Sequence, residues 1–250
     1  QCQALPTFTG SNNEAVRTVT DNRGGITRTY EIAKLADGKC WMLTNLKLGS
    51  TSSTITLTPA DSDVASNFTL PQLTTSGSPD YDSPRAYGPI PGDTGSGTTN
   101  YGYSYNYSAA TAGESRTSHT TGDAPYSICP ANWRLPSGAA DTGTGQPLPT
   151  NDFSELSARM AGFPSGQDSG YLANYYTHAA GWQHNGPFKG ILAGYWAGSF
   201  DGQGGGGILW SASANPGNAG SAFSASFYAD GVYPDVVDRY GGLGVRCLLN

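Results

Sequence analysis

Between positions 182 and 201 the chain concentrates the side chains best suited to hold a ligand: Trp182, His184, Tyr195, Trp196 and Asp201. Flat aromatic rings stack on the faces of sugars, and polar side chains beside them bond the sugar hydroxyls. We therefore predict that these five residues bind a glycan or another surface polymer. Tryptophan is also highly buried on average, so the same rings have a second interpretation as core residues.

Catalysis and metal binding are not favoured by the reactive side chains. A Cys–His or Ser–His nucleophile needs a base within hydrogen-bond reach, and the chain offers only His119, His178 and His184. The last two, with Asp201, provide a metal hypothesis, but they lack the close ligand spacing of common metal sites. Hydrogen-bonded loop histidines are the preferred interpretation. We predict no enzyme activity, no bound metal and no cofactor.

The composition favours short strands and loops over long helices. The 250 residues include 35 Gly and 16 Pro, and only 13% are charged, about half the usual fraction. A net charge of −6 argues against nucleic acid or an anionic membrane as partner. No apolar run approaches the roughly 20 residues that span a bilayer, so we expect no membrane insertion. The chain starts at Gln1 without a signal peptide, which we interpret as a mature or trimmed product.

Four widely separated cysteines, Cys2, Cys40, Cys129 and Cys247, indicate an oxidising compartment. None forms the close pair that structural zinc sites use, so two disulfides are expected instead. Four cysteines allow three pairings. We favour Cys2–Cys40, which joins neighbouring early segments, and Cys129–Cys247, which ties the middle of the chain to its last strand.

Strands are predicted at both ends of the chain, and at the carboxyl end the side chains alternate between two faces. Near the amino end, strands are expected at 16–19 and 26–35, followed by a hairpin at Asp37-Gly38 into 39–42. Near the carboxyl end, we predict three antiparallel strands as the core sheet. They are residues 208–213, residues 222–228 and the last run, in which Leu243, Val245, Cys247 and Leu249 share a face.

The middle of the chain is less regular. We interpret 1–250 as a single domain with a long surface insertion at about 49–100, containing a strand at 54–58 and a short helix near 61–68. Residues 152–160 predict a helix, with Asp152 as its cap and Glu155 at the reciprocal capping position.

Tyrosines at every second position, from 101 to 107, have two interpretations. The favoured one is a strand or corner that packs its rings into the core, since that is the ordinary position of aromatic side chains. The alternative is a stacking platform for sugars. Arg134 and Arg246 are expected to anchor structure through paired hydrogen bonds rather than to bind ligand.

Several motifs occur in an order that resembles one family. They are Asp37-Gly38-Lys39-Cys40-Trp41-Met42 with Asn45-Leu46, Tyr101-Gly102-Tyr103-Ser104-Tyr105-Asn106-Tyr107, Cys129-Pro130-Ala131-Asn132-Trp133-Arg134-Leu135-Pro136, Leu209-Trp210-Ser211-Ala212-Ser213 and Gly244-Val245-Arg246-Cys247. Together with the helix at 152–160, they cover about half the chain. The chain resembles the Fibrobacter succinogenes major paralogous domain, a family of secreted and surface-displayed bacterial modules. The Arg-Leu-Pro segment with its helix, and the last motif, also look like formylglycine-generating enzymes and other C-type-lectin-like folds.

The resemblance implies an α+β, C-type-lectin-like domain with short antiparallel strands, one or two short helices, long loops and two disulfides. Its termini would pair in one sheet, and a long irregular loop region would carry the ligand. Two departures limit what it implies about chemistry. The oxidase-like relatives use two reactive cysteines near the carboxyl end, where this chain has only Cys247. The Glu-Pro-Asn and Trp-Asn-Asp sugar motifs of calcium-dependent lectins do not occur.

These observations predict a non-enzymatic, extracellular bacterial surface module, secreted or attached to the cell surface, for adhesion or ligand binding. The partner would be a glycan or surface polymer. The alternative is the globular subunit of a pilus-like or other extracellular filament, with like subunits as partners.

Overall fold

Short antiparallel strands dominate the chain, and its helices are few and brief. The computed structural model describes residues 2–138, 151–162, 179–229 and 232–250. The strands are β1 (Val16–Asp21), β2 (Arg28–Lys34), β3 (Cys40–Met42), β4 (Ile55–Leu57), β5 (Phe68–Leu70), β6 (Ala86–Tyr87), β7 (Ser104–Tyr105), β8 (Trp133–Arg134), β9 (Tyr195–Trp196), β10 (Phe200–Asp201), β11 (Gly206–Ala214), β12 (Ser221–Tyr228), β13 (Val232–Asp238) and β14 (Leu248–Leu249). The helices are α1 (Tyr107–Ala110), α2 (Asp152–Met160) and α3 (Ala179–Trp182). These elements place the protein in the α+β class, as predicted.

The larger sheet joins the two ends of the chain. Its strand order is β1-β2-β3-β14-β8, with every neighbouring pair antiparallel. The first three strands are consecutive and form close to where the sequence predicted them, and Tyr30, Ile32 and Ala33 of β2 are buried. Leu248 in β14 lies opposite both Trp41 and Arg134. The carboxyl end is therefore an interior strand, which needs both neighbours in place.

The second sheet has the order β11-β12-β13, and its third strand corrects the prediction. Residues 232–238 pair with β12, whereas the last run of the chain does not belong to this sheet. That run makes one bridge to Leu209, through Gly244, and then crosses to the larger sheet as β14. Alternation shows which side chains share a face but not which strand lies alongside. Consecutive strands joined by a short connection usually pair.

Both predicted disulfides are present. Cys2 bonds to Cys40 and Cys129 bonds to Cys247, across sequence separations of 38 and 118 residues. No cysteine is free among the described residues. The second bond joins the segment before β8 to the segment before β14, so it fixes two neighbouring strands of the larger sheet covalently.

Residues 49–100 contribute to the core as well as to the surface. The predicted strand at 54–58 is present as β4, which pairs with β5, and Ile55, Leu57 and Leu70 are buried in the main apolar cluster. The predicted helix near 61–68 is wrong. The backbone of Asp63 instead bonds to the backbone of Ser127 and Cys129, at 2.8 and 2.9 Å. Pairing with that remote segment replaces the local bonds that a helix requires.

The tyrosine stretch belongs mainly to the core. Tyr101, Tyr105 and Tyr107 are buried, and the Trp210 indole donates a 2.7 Å hydrogen bond to the Tyr105 carbonyl. Helix α1 begins immediately afterwards, with Asn106 as its cap. Only Tyr103 of the four alternate rings stays half-buried. The core interpretation is thus confirmed for three of the rings.

Helix α2 has the predicted bounds but a different cap. Asn151 accepts from the Ser154 backbone, and Ser154 completes the capping box, so the assignment to Asp152 and Glu155 was one residue late. The Asp152 carboxylate, only 4% exposed, accepts instead from Lys39 at 2.7 Å and from Arg134 at 2.5 and 3.0 Å. It also accepts from the Ser137 backbone at 2.8 Å. Asp152 therefore joins the start of α2 to the larger sheet.

Replacing Asp152 tests this junction. Burial alone raises the pKa of this carboxyl, but the bonds from Arg134, Lys39 and Ser137 outweigh it and place the pKa well below its usual range. The ionised form therefore stabilises the fold above about pH 4, and the stabilisation is lost as pH falls further. We expect Asp152→Asn to lower the free energy of unfolding at pH 7 by about 2–4 kcal/mol.

Urea denaturation at several pH values checks the prediction. The difference between wild type and Asp152→Asn should shrink below about pH 4, because the carboxyl of the unfolded chain takes up a proton there while that of the folded protein is still ionised. A difference that stays constant down to pH 2 would contradict the role of the charge. Glu155→Gln on the same helix is the matched control.

Candidate ligand-binding site

Two of the predicted site residues are core residues. Trp182 is 1% exposed and lies 4.5 Å from the ring centroid of Phe188. Trp196 is 0% exposed and stacks on Tyr87 with ring centroids 3.9 Å apart. Neither indole presents a face to solvent, so neither can stack on a sugar in this conformation. The core interpretation of these two tryptophans is the correct one.

Tyr195 and Asp201 are brought together at the surface. They lie opposite each other in the two-stranded sheet of β9 and β10. Asp201 is exposed and Tyr195 is half-buried. The Asp201 carboxylate accepts from the Gly202 backbone at 2.7 Å, which leaves further acceptor capacity toward solvent.

His184 lines a cleft of about 430 Å³ that we name the first cleft. The polar side chains around it are those of Thr98, Thr99, Gln183, His184 and Asn185, and its apolar surface includes Tyr101 and Leu192. The His184 Nδ1 atom is buried and has no hydrogen-bond partner among the described residues. A buried polar atom without a partner is costly, and a ligand hydroxyl would satisfy it.

The hairpin of β9 and β10 borders the first cleft. Gly204, three residues after Asp201, lines the cleft, and its backbone donates to the Leu192 carbonyl at 2.8 Å. The Gln203 amide donates to the Asp201 carbonyl at 3.2 Å. His184, Tyr195 and Asp201 thus belong to one region of the surface, although only His184 lines the cleft.

A larger cleft of about 620 Å³, the second cleft, was missed by sequence reasoning. Arg28, Lys47, Asn100 and Tyr103 line it. Tyr103 is the half-buried ring of the tyrosine stretch, so the stacking-platform interpretation stays a prediction for that ring alone. Arg28 and Lys47 could not be assigned to a common cleft from the sequence. Their proximity depends on how β2 lies against the segment that follows β3.

One chain segment separates the two clefts. Gly95, Asn100 and Tyr103 line the second cleft, whereas Thr98, Thr99 and Tyr101 line the first. Between them, Gly102 has a φ of +77°, and a Cβ there would lie 2.7 Å from the Asn45 Cβ atom. Glycine at this position therefore lets the separating segment, which forms the wall between the two clefts, pack directly on the backbone of residues 45–46.

A buried arginine positions this wall. Arg246 is fully buried and donates from Nε to the Asn45 Oδ1 atom at 2.8 Å, and Asn45 in turn donates to the Tyr101 carbonyl at 3.0 Å. Its other nitrogens donate to the Phe188 and Lys189 carbonyls, next to Gly190 in the first cleft. Burial lowers the pKa of Arg246 to about 9. The predicted anchoring role of Arg246 is confirmed, as is that of Arg134.

The described part of the chain contains no candidate metal-binding site. No group of three His, Cys, Asp or Glu side chains there is arranged to hold a metal ion. His178, one member of the metal hypothesis, lies outside the described residues. No helix in the described ranges is long and apolar enough to cross a membrane.

Comparison with known proteins gave no match, whether to a protein-family model, to a curated protein or to a solved structure.

We expect Arg246→Lys to lower the free energy of unfolding by about 2–4 kcal/mol, since lysine keeps the charge but loses the planar fork that reaches three acceptors. Hydrogen exchange should increase most in the Tyr101 and 188–190 segments. Urea denaturation and exchange mass spectrometry measure the two effects. Arg17→Lys, at an exposed position, should change stability by less than about 0.5 kcal/mol. Equal losses in both variants would contradict the anchoring role.

Proposed function

We propose that the protein is a non-enzymatic, extracellular binding module that holds a glycan in the first cleft. The observation that carries this is the cleft itself, in which hydroxyl, amide and imidazole groups surround an apolar surface formed by Tyr101 and Leu192. Sugars present the same combination of apolar faces and hydroxyl edges. The unpartnered Nδ1 of His184 supplies one buried group that a sugar hydroxyl would satisfy.

Binding is favoured over hydrolysis by the groups that line the first cleft. Glycosidases use two carboxyl groups on either side of the scissile bond. Among the described residues lining this cleft, the ionisable side chains are a single imidazole and a tyrosine. Asp201 stands outside the lining, on the neighbouring hairpin. Such a set can orient and retain a sugar.

An extracellular location is supported by two disulfides in a chain of low charge density. We further propose that the fold is C-type-lectin-like and that the chain is related to the Fibrobacter succinogenes major paralogous domain. The ordered motifs support this relation. The position of β14 beside the amino-terminal hairpin supports the lectin-like architecture, in which the two ends of the chain share a sheet.

His184→Ala should weaken glycan binding about tenfold, because it removes a polar partner of the ligand from the cleft. An array of oligosaccharides identifies a ligand, and titration calorimetry then measures its affinity. Tyr126→Ala is the control, since Tyr126 is 40% exposed and lies outside both clefts. An unchanged affinity in His184→Ala, or retention of a protein partner but of no glycan, would overturn the proposal.

A filament subunit is the second candidate, and one surface feature favours it. Tyr228 is 37% exposed, and its ring meets that of Tyr233 edge to face at 5.7 Å. Tyr233 belongs to β13, which ends its sheet without a further strand partner among the described residues. Tyrosine is enriched in protein interfaces relative to the rest of the surface.

If this pair is a subunit contact, Tyr228→Lys should abolish self-association that the wild type shows at high concentration. Light scattering during size-exclusion chromatography and electron microscopy measure the assembly. Tyr126→Lys, which adds the same charge at a similarly exposed tyrosine, should leave assembly unchanged. A wild type that stays monomeric at every concentration would rule out this candidate.

A further inference from the structure

In the described part of the chain, no carboxylate forms a salt bridge with Arg28. Its guanidinium donates to three backbone carbonyls, those of Arg23, Ile26 and Gly49, each at 2.9 Å. No carboxylate lies within salt-bridge distance of it among the described residues, and it is half-buried at the edge of the second cleft. The three bonds use three of the five N–H donors of the side chain, so two remain for a ligand.

The other cation of this cleft is already paired. Lys47 donates to Asp93 at 2.6 Å and lies 5.7 Å from the centroid of the Tyr103 ring. The cleft therefore has a net charge of about +1 beside a half-buried aromatic ring. It also contains Thr44, whose Oγ1 atom is buried and has no partner in the described ranges.

Continuity with the first cleft suggests a polymer rather than a small ion. The segment at 95–103 contributes residues to both clefts. A chain of sugar units crossing this segment would place neutral units near His184 and another unit near Arg28. The two volumes, about 430 and 620 Å³, are each in the range of pockets that bind small molecules.

We propose that the second cleft binds a carboxylate-bearing sugar unit, so that the glycan of the proposed function is an acidic polysaccharide. The free donors of Arg28 bond the carboxylate, and the Tyr103 ring packs against the sugar face. This inference rests on the proposed function, because the same polymer would occupy the first cleft. Beyond the proposed function, the inference states that the ligand is negatively charged and that the protein contacts it at a second site.

A uronic acid fits better than a more highly charged group. One unneutralised guanidinium balances one carboxylate, whereas phosphate or heavily sulfated polymers bring more negative charge than the cleft offsets. The protein has a net charge of −6, so attraction must be local. Screening limits the influence of distant charges to about 8 Å at physiological ionic strength, which allows Arg28 to act locally.

The test uses short oligomers of galacturonate, mannuronate and glucuronate, each compared with its neutral methyl ester. We expect at least one acid to bind about tenfold more tightly than its ester, since a charge-assisted pair replaces a neutral contact. Arg28→Gln should reduce that ratio to about one. Titration calorimetry gives the affinities, and NMR shifts of Tyr103 and His184 show which cleft responds.

Two further variants separate charge from structure. Arg17→Gln is the matched control, because the bonds of the Arg17 side chain within the described ranges also go to backbone carbonyls, and Arg17 lies outside both clefts. It should keep the full preference for the acid. Arg28→Lys keeps the charge and should retain part of the preference, which a role limited to holding the 23–26 turn does not predict.

The outcomes distinguish this inference from the proposed function. If esters and acids bind equally and His184→Ala weakens both, the glycan function stands and the acidic-sugar inference fails. If Arg28→Gln keeps the preference, or Arg28→Lys loses it completely, the inference also fails. If no oligosaccharide binds, acidic or neutral, both fail together.

Discussion

The arrangement of both clefts depends on one buried guanidinium. Arg246 reaches Asn45 on one side and the 188–189 carbonyls on the other, and no carboxylate lies within salt-bridge distance among the described residues. A buried charge of this kind is tolerated only when its donors are satisfied. Moving Asn45 or the 188–189 carbonyls away would leave buried N–H groups of Arg246 without acceptors, which costs free energy. These acceptors are therefore held in place, and the walls of both clefts are fixed with them.

Arg246 can act this way only because the end of the chain is held inside the fold. Strand β14 begins two residues after Arg246 and lies between β3 and β8, and the intervening Cys247 is bonded to Cys129. Asp152 adds a second link, from helix α2 to Arg134 in β8 of the same sheet and to Lys39, the residue before β3. A chain with few charges and much glycine thus gains rigidity from a small number of buried polar and covalent connections.

Irregular segments form most of the candidate surface, and the sheets fix their positions. Binding residues commonly occur on loops carried by a rigid scaffold. Here the wall between the clefts is held by Asn45, which follows β3, and by the close approach of Gly102. Arg28 stands at the first position of β2, so the cation of the second cleft is placed by the sheet itself. The two clefts therefore share their supporting elements.

The sequence by itself determined the coarse class and several local elements, and it favoured one of the three possible disulfide pairings. Alternation located β12, strand-like segments and turn residues located β1 to β3, helical spacing located α2, and the position of the cysteines along the chain favoured the pairing that forms. Tertiary structure alone decided which strand borders β12, that Trp182 and Trp196 are buried, and that Arg28 meets Tyr103 across a cleft. The physical reason is range: periodicity and turn chemistry act over a few residues. Strand neighbours, burial and unneutralised charge depend on segments far apart in the chain, and only packing brings those together.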